Sequence, residues 1–243
     1  MEDAHLTDTA ELVRLLTDAH RDGAPCVDAM LYASLTRPDA YLVQTGVLAA
    51  LGATVGMLKT GRHSDGVGVV APILEPHIGY APDFRLAVAP VIGLEVEVGV
   101  VLARDVASST DIPSAIDHYF LGVEMCASRY ADRSLSGLNG TLADNMSAYG
   151  YCIGPRRAAK DEIDGLTIRL SVGGQDIHHA PAKHGFGSVL ASLSAYAFNQ
   201  HPAYPLRAGT IVTTGSMCGM VPVPSAGRVV ATLGDETLSF ELV

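Results

Sequence analysis

A chain of 243 residues, 48% hydrophobic and only 17% charged, is long enough to bury one large core with at most a small appendage. Its formal charge of −10, without any basic cluster, argues against nucleic acid or an anionic membrane as partner, and no apolar run is long enough to span a bilayer. The default ligand is a small molecule, and a positive mean hydropathy of +0.26 with few charges points to a cytoplasmic homo-oligomer whose surplus apolar surface meets other subunits.

The first helix is expected from Asp8-Thr9-Ala10-Glu11, an acidic N-cap with Glu three residues on, through Leu12, Leu15, Leu16 and Ala19 at helical spacing to a stop at Gly23. A second is expected from Asp39, after Pro38, to Gly52. Gly56 to Gly66 reads as a glycine-punctuated loop after a short apolar run, and Gly66 to Pro90 as further loop broken by Pro72, Pro76, Pro82 and Pro90. Residues 1–65 therefore read as a helical N-terminal region and 66–243 as a β-rich body. Leu94 to Leu102 and Tyr119 to Ala127 are expected strands, joined through a turn or short helix at Pro113 to Tyr119. Leu166 to Val172 and Gln175 to His179 form a hairpin across Gly173-Gly174, and Arg228 to Leu233 with Thr237 to Val243 another across Gly234-Asp235. Ser188 to Gln200 reads as a helix, and Ile211 to Thr214 as a strand. Cys26, Cys126, Cys152 and Cys218 show no pairing pattern and read as reduced, buried thiols. Periodicity alone gives an α+β chain.

The run Leu94-Glu95-Val96-Glu97-Val98 places two acids inside an apolar strand. Alternation puts Glu95 and Glu97 on one face, roughly 7 Å apart, with Gly99 beside them. Glu124 stands alone in a second apolar run. Exposed strand faces carry such acids routinely, and Glu124 could pair with Arg129. If buried together, however, like charges this close need a proton or a cation. Three carboxylates without Cys or His ligand spacing suit Mg²⁺ or Mn²⁺ rather than Zn²⁺.

Leu94 to Leu102 followed by Ala103-Arg104-Asp105, then Gly122-Val123-Glu124 with Ser128-Arg129, Ala143-Asp144-Asn145, and Leu206 to Ser216 together resemble the fumarylacetoacetate hydrolase superfamily, in its 2-keto-4-pentenoate hydratase and 4-oxalocrotonate decarboxylase branch. The likeness runs from about Tyr41 to the C-terminus. It implies a rolled mixed β-sheet of the family's C-terminal type, with Glu95, Glu97 and Glu124 holding Mg²⁺ or Mn²⁺. Lys59, between Gly56 and Gly61, matches the family's active-site lysine, the alternative being a solvated loop cation. An acid from the proline-broken segment is expected near the site, Glu75 and Asp83 being equal candidates. Ser147 is the aligned serine facing the substrate, and Thr213 and Thr214 match the family's threonine or serine close to it.

The resemblance implies a hydratase adding water to a 2-hydroxy-2,4-dienoate or 2-oxo-enoate, a small-molecule 2-oxo acid, with Lys59 acting on the substrate separately from the cation site. Decarboxylation of a 2-oxo-3-enedioate and hydrolysis of an acylpyruvate carbon–carbon bond are the alternatives. The hydrolase would need a His/Glu pair, for which only His63 and His77 offer. A non-catalytic subunit of a decarboxylase–hydratase assembly would have no need of three buried acids. Arg62-His63-Ser64 replaces the family's Leu-Thr-Ser, Ala127 stands where relatives carry Asp, and Tyr149 where they carry a small or hydroxyl residue, so the chain reads as a divergent member.

Overall fold

The computed structural model describes residues 8–108 and 110–243. In chain order its elements are α1 (Thr9–Asp22), α2 (Arg37–Leu51), β1 (Val55–Arg62), β2 (Gly68–Leu74), β3 (Ile78–Tyr80), β4 (Arg85–Leu86), β5 (Gly93–Leu102), α3 (Ile112–Ala115), β6 (Ile116–Cys126), α4 (Gly137–Ala143), β7 (Ala148–Arg157), β8 (Thr167–Val172), β9 (Gln175–Pro181), α5 (Ala191–Ala197), β10 (Ile211–Ser216), β11 (Val221–Pro222), β12 (Gly227–Leu233) and β13 (Glu236–Leu242). They fall into two compact units, one of the described residues to Thr54 with Ser128–Ser147, the other of Val55–Ala127 with Ala148–Val243.

In the helical unit, the Asp8 side chain accepts from the Ala10 N–H at the start of α1, and Gly23 ends it in the left-handed region at φ 66°. Helix α2 starts at Arg37, two residues before the expected Asp39, because a Thr36/Asp39 capping box satisfies its first turn and Pro38 sits where no N–H is needed. Buried Gln44 donates to the Leu142 carbonyl at 2.9 Å, tying α2 to α4, and Tyr32 donates to the Leu12 carbonyl at 2.7 Å.

The larger unit holds a curled mixed sheet of eight strands in the order β2-β1-β10-β5-β6-β7-β3, with β11 pairing β5 beside that path, and a second sheet ordered β4-β13-β12-β8-β9. The small sheet shows the one-sided alternation of an antiparallel sheet. Ile168, Leu170, Val172, Val229, Ala231, Leu233, Leu238, Phe240 and Leu242 are buried while their neighbours are not. Its two predicted hairpins form, with Gly173 at φ 57°, Gly174 at φ 83° and Gly234 at φ 57° supplying the turn conformations.

Two segments read as loops are strands. Gly56 to Arg62 lies in β1, hydrogen-bonded to β2 and β10 within the large sheet. Gly68–Leu74, inside the proline-broken stretch, is β2. It is the edge strand, so Pro72, opposite Leu58, leaves no interior ladder position without a donor. The expected turn before Glu124 is the short α3, and β6 begins directly after it. Helix α5 is shorter than the expected 188–200. Among the described residues no helix is long and apolar enough to cross a membrane.

Candidate metal centre

Register in the large sheet assembles the site from five strands, β1, β5, β6, β7 and β10. On β5, Leu94, Val96, Val98 and Val100 are all fully buried on one face, which sends Glu95, Glu97 and Gly99 to the other. Glu95 stands directly opposite Glu124 on β6, Glu97 opposite Gly122, and Glu124 opposite Tyr151 on β7. From the other side Gly99 faces Thr213 on β10, which in turn faces Lys59 on β1. Two glycines make room for this packing. A Cβ on Gly99 would stand 2.2 Å from the Phe120 ring, and one on Gly122 would stand 2.3 Å from the Tyr151 hydroxyl. Phe120 and Tyr151 then meet edge to face at 6.2 Å, within a cluster of Met57, Ile73, Ala148 and Ile153.

The acids are buried. Glu97 and Glu124 have no solvent exposure, and Glu95 is half-buried. The Lys59 ammonium bonds Glu124 Oε1 at 2.6 Å and reaches Glu95 Oε2 at 3.5 Å. Both Glu97 oxygens and Glu124 Oε2 have no hydrogen-bond partner among the described residues. Burial, reinforced by the charge of Glu124, pushes the Glu97 carboxyl well above the ordinary carboxylate range, against the pull of Lys59. Glu124 is pushed up to about 7, again chiefly by burial, with Lys59 opposing and Glu95 adding to the rise. For Lys59 burial acts to lower the pKa, but Glu124 and Glu95 outweigh it and hold the ammonium well above its usual value. Three carboxylates facing one ammonium leave two negative charges uncompensated when all are ionised. An orphaned buried carboxylate oxygen costs several kcal/mol, so this oxygen-donor set fits a hard divalent cation.

Glu95, Glu97, Glu124 and Lys59 are thus brought together, though Lys59 is bonded to the acids rather than standing apart from them. Glu124 pairs with Lys59 and not with Arg129, whose guanidinium holds Asp144. Thr214 donates to the Val98 carbonyl at 2.8 Å, a backbone role. Its neighbour Thr213 donates to the Tyr151 hydroxyl at 3.3 Å. A register shift between Thr213 and Ser216, with Gly215 at φ 113°, separates the two threonines in this way. Glu75 and Asp83 are both exposed. His77 bonds the Tyr149 carbonyl, with the two rings 4.5 Å apart.

Ser147 lies at the end of the helical unit. Asn145, Met146 and Ser147 run at φ 51°, 52° and 60°, a region that costs non-glycine residues about 1–2 kcal/mol each. What restrains the run is Asp144, whose carboxylate accepts from the Arg129 guanidinium, from the Ser128 hydroxyl at 2.8 Å and from the Arg129 N–H at 3.2 Å, while Ser147 N–H bonds the Asp144 carbonyl at 2.9 Å.

Cys126 and Tyr151 are site neighbours that the sequence does not single out, and Thr213, rather than Thr214, is the threonine that joins them. One ligand atom each from Glu95, Glu124 and Cys126 lie within 4.8 Å of one another. Of the other cysteines Cys152 is buried, whereas Cys26 is exposed and Cys218 partly so, which corrects the expectation of four buried thiols. All four are unpaired.

Residues 60–241 match the profile of the fumarylacetoacetate hydrolase C-terminal domain. The chain is 27% identical over 234 residues to a 2-keto-4-pentenoate hydratase of Burkholderia vietnamiensis, covering 87% of this chain and 84% of the relative. It is 26% identical to 2-keto-4-pentenoate hydratase 1 of Dechloromonas aromatica, over 94% of each. Its fold resembles that of 4-oxalocrotonate decarboxylase from Pseudomonas putida G7, solved with magnesium and adipate, at a TM-score of 0.78 and 18% identity, covering 97% of this chain and 98% of that one.

Proposed function

We infer the reaction from one premise: the chain belongs to the fumarylacetoacetate hydrolase family and is one of its enzymes. Its activity is that of a divalent-metal-dependent hydratase acting on a 2-hydroxy-2,4-dienoate or the related 2-oxo-enoate. The observation that carries this reading is the set of buried carboxylate oxygens on Glu97 and Glu124 that no donor satisfies, beside a half-buried Glu95. The two hydratase relatives and the magnesium complex of the decarboxylase support it.

Glu95, Glu97 and Glu124 would hold Mg²⁺ or Mn²⁺. When bound, the cation supplies charge neutralisation for the substrate carboxylate and its 2-oxygen, drawing electrons from the conjugated chain. The protein's own residues do the rest. Lys59, held as an ammonium by Glu124 and Glu95, presents a positive charge to an anionic substrate and to the negative charge that develops on its 2-oxygen. The Tyr151 hydroxyl accepts from Thr213, which orients the phenol on the strand position opposite Glu124. The apolar wall of Met57, Ile73 and Phe120 lowers the local dielectric and strengthens each of these interactions. In the net reaction the dienol tautomerises to a 2-oxo-3-enoate. The oxygen of water then bonds to the alkene carbon remote from the carbonyl, and a proton is delivered to the carbon next to the carbonyl.

The test is to incubate Mg²⁺- or Mn²⁺-loaded protein with a 2-hydroxy-2,4-dienoate and, separately, with an oxalocrotonate-like diacid. Loss of the conjugated ultraviolet absorbance with incorporation of water is the expected result. Release of carbon dioxide from the diacid, without hydration of the dienoate, would replace the hydratase by a decarboxylase. Inertness toward both would remove the two readings together.

A further inference from the structure

Cys126 follows Glu124 by two residues on β6, so both side chains leave the same face of the strand. Its partner across on β5 is Gly93, which has no side chain to screen the sulfur from Glu95 two residues further along. The thiol is buried at 2% exposure and lies 3.7 Å from Glu124 Oε1. With one oxygen each of Glu95 and Glu124 it forms a group of three donor atoms within 4.8 Å of one another. A cysteine this close to carboxylates could be packing alone. A second and independent feature is that the other Glu124 oxygen is fully buried and has no hydrogen-bond partner, which leaves the carboxylate a free donor beside the sulfur.

The two donor sets in this one place differ in chemical softness. Glu95, Glu97 and Glu124 offer only carboxylate oxygens, which suit Mg²⁺ and Mn²⁺. Glu95, Glu124 and Cys126 offer two oxygens and one sulfur, a combination that favours borderline ions with tetrahedral tendencies. We propose that Cys126 is a thiolate donor giving this centre a second binding mode, in which Zn²⁺ or Co²⁺ is held by Glu95, Glu124 and Cys126, alongside the all-oxygen mode for Mg²⁺ or Mn²⁺. The proposal rests on Glu95, Glu97 and Glu124 being the cation site. On binding, the S–H bond breaks, the sulfur keeps the electron pair that it donates to the ion, and the proton leaves to solvent, so no oxidant is involved. Divalent ions to the right of manganese would bind tighter than Mg²⁺ here, and more so than in a site of oxygens alone.

The test titrates the full-length apoprotein with Co²⁺ and follows the near-ultraviolet charge-transfer band that a thiolate–cobalt bond produces, with Mn²⁺ binding measured in parallel by loss of the free-ion spin-resonance signal. Wild-type protein is expected to show the band. Cys126→Val and Cys126→Ser, the second nearly isosteric and a guard against lost packing, are expected to lose it, with Zn²⁺ affinity weakened about tenfold or more and Mn²⁺ affinity kept within about threefold. Co²⁺ bound without the band, or a band that survives in both variants, would overturn the thiolate role and leave the carboxylate site standing. Wild-type protein that takes up neither Mn²⁺ nor Co²⁺ would overturn the cation site and the thiolate mode together.

Discussion

Glu97 is the residue whose burial is hardest to explain without a ligand, since it is fully enclosed and both of its oxygens lack a partner. Burial already favours its protonated form, so glutamine, the isostere of that form, should cost the apoprotein less than about 1 kcal/mol. Tight divalent binding should nevertheless vanish in Glu97→Gln, and activity with it. Calorimetric titration with Mn²⁺ checks this, and parental affinity in the variant would dismiss Glu97 as a ligand. Lys59 makes a contrasting case. If Lys59 acts on the substrate as proposed, replacing it with methionine is expected to remove a charge-assisted interaction worth about 1.5–3 kcal/mol, a loss of roughly 10- to 150-fold in kcat/KM. Because its ammonium bonds Glu124 and reaches Glu95, the same change should tighten Mn²⁺ binding, freeing two carboxylates from a competing cation. Unchanged kcat/KM in Lys59→Met would make Lys59 a structural counter-ion only. Opposite movement of metal affinity and turnover is what separates the lysine from the acids.

Strand packing sets the distances on which those residues depend, and glycine is what allows the strands their side-chain order. At Gly122 a methyl group would overlap the Tyr151 hydroxyl, which sits in fully packed surroundings. Gly122→Ala is therefore expected to lower unfolding stability by about 1–3 kcal/mol in a denaturant melt and to weaken Mn²⁺ binding by displacing the ring that packs opposite Glu124. An alanine variant as stable as wild type, with intact Mn²⁺ affinity, would show that the ring moves aside freely. The strand that bears the acids was legible because its alternation is clean: valines on the even positions, glutamates and a glycine on the odd. The hairpins were legible from Gly173-Gly174 and Gly234-Asp235. Strand β1 was not, because Gly56, Lys59, Thr60 and Gly61 carry loop chemistry and only sheet neighbours on both sides make them extended. Strand β2 hid behind Pro72, whose missing N–H is harmless only at an edge. The same distinction divides the site. Glu95, Glu97 and Glu124 stand out as acids in apolar runs, and their resemblance to family motifs singles out Lys59. Cys126 and Tyr151 look like ordinary strand residues, and they become site neighbours through cross-strand register, while the choice of Thr213 over Thr214 depends on register and a bulge near Gly215 that one sequence does not reveal.

For the whole chain, few charges and a mean hydropathy of +0.26 favour self-association, and Phe198 and Tyr80 remain exposed at 74% and 64%. Light scattering at micromolar concentration is expected to give a mass above the 25.4 kDa of one chain, and a monomeric mass would end that expectation. Global stability should also carry a pH signature from a histidine outside the acid cluster. His184 is 4% exposed, its Nδ1 accepts the Phe186 N–H at 3.2 Å, and burial pushes its pKa down to about 4 from the usual 6.5. Below the ordinary value the unfolded chain takes up a proton that the folded chain refuses, so the unfolded state binds more protons throughout the interval between the two. Stability then rises with pH there: His184's contribution is complete above about 6.5 and is lost as the pH falls toward about 4. The loss amounts to at most about 3.5 kcal/mol, since each of the roughly two and a half units of difference is worth about 1.4 kcal/mol. Carboxylates such as Asp105, held low by the Ala208 N–H and Arg207, destabilise the fold on acidification as well, so the total slope does not isolate the histidine. The difference between wild type and His184→Gln does, because glutamine keeps an acceptor near the Phe186 N–H and has no proton to gain. Chemical denaturation at intervals from about pH 7.5 to about pH 3.5, values chosen to bracket the interval of roughly two and a half units in which the histidine acts, should show wild type losing stability faster than the variant. Parallel curves would mean that His184 is protonated as readily in the folded chain as in the unfolded one.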